Sequence, residues 1–233
     1  MHPLDEFRSF TGEHAAVLVA IVLCTAVAIA AARRRGPSPR PTPTERAIGW
    51  AYLAAWVTTF AALAFPPLLG PDRVLPLQMC HLTGAAAAAL LITRRRWLRP
   101  LVYFWGLALC TQALSTPTLT EGPATWPFWF FWITHGLIVG VAAYDIAVLG
   151  YRPGLRDYGI ACAGAALYVV LVLPLDIAFG WNYGFLGPDR PEVRTIVDVL
   201  GPWPQRIVLM VAIVAIAMAV LLLPWRLLRA RKA

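Results

Sequence analysis

Apolar residues run along this chain in long blocks, interrupted by arginine clusters, prolines and short polar turns. Seven blocks, at residues 14–32, 47–69, 76–93, 100–116, 127–149, 158–179 and 204–225, match the length needed to cross roughly 30 Å of hydrocarbon, the fourth being the shortest. Each is expected to be helical, because backbone groups in lipid must find their partners within the segment. The pattern predicts an all-α membrane protein, a bundle of seven transmembrane helices forming a single domain over residues 1–233. It leaves no length for a separate soluble core. The first block follows Asp5, Glu6 and Glu13 and precedes Arg33, Arg34 and Arg35, the reverse of a cleavable leader's charge order, and is expected to stay as a span.

Charge adds orientation. The turns after the first, third and fifth blocks, with the C-terminal tail, carry fifteen Arg and Lys residues against five on the other side. This predicts an outside N-terminus and a cytoplasmic C-terminus. The net charge of +8 sits in clusters at the ends of apolar blocks, a pattern suited to anionic headgroups and not to nucleic acid. The Pro-rich run 36–44 reads as a stiff linker. The aromatic run WPFWFFW at 126–132 reads as an interfacial belt. Between GWNYGFLGPDRP and LGPWPQR lies the longest external loop, long enough to cover a site.

With this orientation, scattered polar residues gather in one half of the membrane. Gln78, Cys80 and His81 begin the third block, and His135 lies two turns into the fifth. Gln112, Ser115 and Thr116 end the fourth, Asp176, Asn182 and Tyr183 end the sixth, and His14 starts the first. The inner halves are expected to hold almost no ionisable side chain. Polar groups inside a membrane are costly and face a bundle interior or wet cavity, so a one-sided concentration marks a candidate site. Each has a plainer role available: helix-end caps and interhelical bonds for Gln112, Asn182, Ser115 and Thr116, water contact for His14 and Asp176. The four cysteines show no CxxC spacing, and Cys24 and Cys162 read as core packers, whereas Cys110 near Gln112 leaves a disulfide to Cys80 open.

The strings LPLQMCHL, FWGLALCTQALSTPTL, FFWITHGLI, WNYGFL and LGPWP, with FTGEH at the first block, resemble the YwaF-like family of bacterial integral membrane proteins over nearly the whole chain. That family is similar to the eukaryotic transmembrane protein 164 group of phospholipid acyltransferases, which work through an acyl-cysteine. The resemblance implies Cys80 as nucleophile and His135 as the partner histidine, in a plasma (inner) membrane protein. Two departures from the family pattern are Gln78, where a histidine is common, and His81 directly after the cysteine.

An apolar site suppresses the thiolate, so a base is needed beside the sulfur. His135 is the first choice and His81 the second, because neighbours on a helix diverge by about 100°. Gln112 and Asn182 are expected to steady an oxyanion or the imidazole, and Asp176 to fix its tautomer. Gln78, Thr116, Tyr183 and His14 complete the substrate-binding set. An outward site lacks cytosolic acyl-CoA, which points to a cofactor-free transacylase or lipase acting on membrane phospholipids, with no metal. Two alternatives stand beside it: zinc hydrolysis through His14, His81, His135 and Asp176, and a transporter or sensor whose sixth helix is broken at Pro174. Oligomeric state is not legible.

Overall fold

The computed structural model describes residues 6–36, 38–64, 74–188 and 196–230. Within them the protein is all-helical, with one isolated bridge between Glu6 and Glu121. The helices are α1 (Gly12–Arg35), α2 (Pro43–Ala64), α3 (Met79–Thr93), α4 (Leu98–Pro100), a π-helix (Leu101–Cys110), α5 (Thr111–Ser115), α6 (Trp126–Ala147), α7 (Leu155–Phe179) and α8 (Gln205–Ala230), with 3₁₀ turns at Tyr183–Phe185 and Ile196–Leu200. Among the described residues five helices, α1, α2, α6, α7 and α8, are long and apolar enough to cross a membrane. This is a multi-pass membrane protein.

The π-helix is the axis. It carries Val102, Tyr103, Phe104, Trp105 and Gly106 in succession, all buried, as expected of a helix apolar on every side. α3, α6, α7 and α8 all pack on it, α2 packs on α3, and α1 lies outside on α6. Gly106 permits a close approach of α6, since a Cβ there would stand 2.8 Å from Ile138 Cγ2. α1 shows Val19, Val22, Leu23 and Val27 to the lipid. Cys24 is exposed as well, and is not the core packer expected.

One end of the bundle is tied by charge. Thr42 and Glu45 form a reciprocal cap at the start of α2, and Glu45 also takes two bonds from Arg94 Nη2, at 2.8 and 2.7 Å, and one from Tyr144. Asp157 caps Gly154 N at 2.9 Å and binds Arg96 through both oxygens. Arg99 pairs with Asp145 at 3.3 Å, and the Arg96 and Arg99 guanidinium groups lie over the Tyr151 ring. Bonding to Asp157 holds the proton of Arg96 more tightly than usual. The expectation that this half is poor in ionisable groups is corrected: Glu45, Asp145 and Asp157 are all buried there. The arginines taken for headgroup anchors include three, Arg94, Arg96 and Arg99, that face these acids.

Several element ends differ from the hydropathy blocks. α3 begins at Met79, so Gln78 is its N-cap and outside the helix. α7 continues unbroken through Pro174 to Phe179, which removes the discontinuity expected of a transporter helix. Residues 65–69 of the second block, and Arg73, Arg190 and Arg194, lie outside the described residues.

Candidate active site

α3 has 15 residues and spans about 22 Å, short of the roughly 30 Å hydrocarbon thickness. Its start is preceded by non-helical backbone at Leu75–Gln78. Irregular backbone within a membrane protein is tolerated where protein buries it or a cavity solvates it. Both conditions are met. Tyr168 donates its hydroxyl to Leu77 O at 2.8 Å, and Gln78 Oε1 accepts from Gly184 N at 3.0 Å, tying the loop after α7 to the entry of α3. A cavity of about 1790 Å³ opens against this entry, larger than the roughly 300–1,000 Å³ typical of small-molecule sites.

Seven of the residues singled out by sequence line that cavity: Gln78, Cys80, His81, Gln112, Thr116, His135 and Asn182. Cys80 is the second residue of α3, half-buried, with its own N–H at the helix start, while the His81 N–H beside it donates to Gln78 O at 2.9 Å. A helix start presents N–H groups without intrahelical partners and favours an anion. Cys110, Tyr52 and Tyr168 lie within electrostatic reach of the same sulfur. All four cysteines are free thiols, so the possible Cys80–Cys110 disulfide is not formed.

The two imidazoles are held differently. His135 Nδ1 is 2.8 Å from Phe131 O, and since a carbonyl only accepts, Nδ1 carries the proton and Nε2 keeps its lone pair. The Phe131 ring packs on the same imidazole at 4.3 Å. The His81 ring stands edge-on to Phe60 at 4.9 Å, and its Nδ1 is buried without a partner.

His14, Asp176 and Tyr183 lie outside the cavity lining. His14 Nδ1 accepts from Phe10 N at 3.1 Å, which leaves Nε2–H to donate to Leu114 O at 2.8 Å. Both nitrogens are committed, Nδ1 to the segment entering α1 and Nε2 to the end of α5. Asp176 Oδ1 accepts from Tyr183 N at 3.1 Å, so this pair shapes the turn after α7 and does not address His135. The alternative zinc set of His14, His81, His135 and Asp176 therefore does not converge, and among the described residues no three His, Cys, Asp or Glu side chains group as a metal site.

Other wall residues went unremarked in the sequence. Tyr168 and Thr134 line the cavity beside the candidate site, and Tyr52 reaches Thr134 Oγ1 at 3.3 Å over Gly84, where a Cβ would stand 2.2 Å from the hydroxyl. Cys162, taken for a core packer, lines the cavity too. The aromatic run at 126–132 divides: Trp126 and Trp129 are exposed as a belt, Phe128 and Trp132 are buried, and Phe130 and Phe131 form wall. Toward the arginine-rich end the cavity stops on a packed cluster of Tyr103, Phe104, Trp105 and Met218.

The fold and the cavity define a class: a helical multi-pass membrane protein with a thiol at a helix start and two imidazoles in one large chamber. The chain belongs to the TMEM164 family, whose profile matches residues 9–222. It is similar to a protein of Treponema pallidum (strain Nichols) described as "Uncharacterized protein", with 28% identity over 152 residues, 65% of this chain. The chain spans 62% of that relative's length. No solved structure matches it.

Proposed function

We propose that the protein is a cofactor-free acyltransferase, transacylase or lipase acting on membrane phospholipids through an acyl-cysteine. It sits in the plasma (inner) membrane with seven spans, α3 and the run from α4 through α5 adding two to the five long helices. The arginine-rich end is cytoplasmic and the cavity faces the outer leaflet. The observation that carries the reading is that Cys80, at the start of α3, shares one chamber with His81 and with His135, whose Nε2 lone pair is available.

In the first step Cys80 Sγ bonds to an ester carbonyl carbon and its proton passes to His135 Nε2, directly or through one water. The carbonyl π pair moves to oxygen, which accepts from the Cys80 N–H at the start of α3 and from the amides of Gln112 and Asn182. As the carbonyl re-forms, the ester C–O bond breaks and the departing oxygen takes the proton back. A lysophospholipid leaves and a thioester remains on Cys80. In the second step a hydroxyl of another lipid, or of water, gives its proton to His135 and attacks the thioester, restoring the thiol. Gln78 and Thr116 line the approach to the sulfur.

Lysophospholipid release from acyl-labelled phospholipid in mixed micelles, followed by mass spectrometry, tests the reading. Wild type is expected to form lysophospholipid and transacylated product, and Cys80→Ser and Cys80→Ala to form neither. Equal turnover by wild type and both variants overturns it.

A further inference from the structure

The chamber does not end at Cys80. On α7, Cys162, Ala165, Ala166, Val169 and Val170 face it, a spacing of i, i+3, i+4, i+7 and i+8 that makes one unbroken stripe. α8 presents a matching stripe through Val211, Val214 and Met218. Small residues on a membrane helix ordinarily let a neighbour close in. Here they face open volume, and α7 and α8 touch only sparsely. Val170 and Val211 line the cavity and are also 66% and 48% exposed, so this arm is open sideways to lipid. Its far end is closed by Met218, 1% exposed and packed on the aromatic cluster around the π-helix.

We infer that the α7–α8 arm is an acyl-chain slot, entered sideways from the membrane, in which one fatty chain of the substrate lies with its methyl end against Met218 and Cys162. The inference rests on the acyl-cysteine reading for the chemistry at Cys80, but the slot itself is a binding feature. The wall is wholly apolar along the two stripes apart from the Cys162 thiol, which suits a hydrocarbon chain. Tyr168, beside Cys80, marks the top of the slot. Six residues earlier in the chain, Cys162 lies about 9 Å further along α7, toward the floor. Residue size along the stripe therefore sets which chain lengths fit. Ala166 governs the middle of the slot and Met218 its floor.

The test compares Ala166→Phe and Met218→Ala, each in the Cys80→Ala background and in the catalytic chain. Each is incubated with phosphatidylcholine mixtures of medium, long and very long acyl chains, and bound lipid is read by native mass spectrometry. Filling the slot at residue 166 is expected to shift the bound-chain distribution down by several carbons, and hollowing its floor at 218 to shift it up. If Ala166→Phe fails to fold, Ala166→Leu and Met218→Ala carry the comparison. Unchanged distributions in folded variants overturn the slot, whatever happens at Cys80. A shifted distribution in the Cys80→Ala background with no thioester on the catalytic chain keeps the slot and sinks the acyl-cysteine reading instead.

Discussion

At the arginine-rich end Glu45, Asp145 and Asp157 are each buried against an arginine, and no sizeable space is left between them. At the opposite end His81, Gln112, Thr116, His135 and Asn182 border a chamber of about 1790 Å³. The chain thus uses paired charge to fix helix positions at one end and lines a chamber with imidazole and amide side chains at the other. The buried His81 Nδ1 has no hydrogen-bond partner there, which is costly, so its place beside the chamber is hard to explain by stability. It is easier to explain by what the chamber holds.

This contrast predicts that substitutions separate into those that damage activity and those that damage stability. The largest expected effect is from His135→Gln, which keeps the ring's approximate volume but removes the base: turnover falls roughly 10²–10⁴-fold with Tm little changed. Equal loss of Tm and turnover would instead make His135 a packing residue. Next, Glu45→Ala strands the buried Arg94 and is expected to cost about 3–5 kcal/mol, seen as a Tm in detergent lowered by roughly 10 °C. An unchanged Tm would dissolve the contrast from the other side. Gln78→Ala removes the bond to Gly184 N and is expected to cost about 1 kcal/mol, read as faster hydrogen exchange over 180–188. The smallest effect is expected at Arg8→Ala, since its 3.7 Å pair with Glu6 is solvent-exposed, and calorimetry should detect almost nothing.

Hydropathy located the five long apolar helices, because lipid allows only segments that satisfy their own backbone. It misplaced the start of α3, where Leu75–Gln78 reads as apolar as the helix that follows, and only the bonds to Tyr168 and Gly184 make its irregular backbone tolerable. Seven of the ten singled-out residues line the cavity, since an expensive polar side chain in a membrane announces an interior surface. His14, Asp176 and Tyr183 carry the same signal and yet serve backbone groups, because residue type does not disclose a partner. The acid–arginine pairs were hidden for a related reason. Arg94 and Glu45 are far apart in sequence, and an arginine cluster beside an apolar block looks the same whether it meets a headgroup or a carboxylate. The α7 stripe of alanines and valines was silent, as small residues at that spacing ordinarily mean close packing.

The central claim is that the Cys80 sulfur accepts an acyl group from lipid inside the chamber. Purified protein incubated with acyl-labelled phospholipid and read by intact mass should gain one acyl mass, lose it to hydroxylamine, and gain none as Cys80→Ala. An unmodified wild-type mass while lipid is turned over, or an equal adduct on Cys80→Ala, would contradict it.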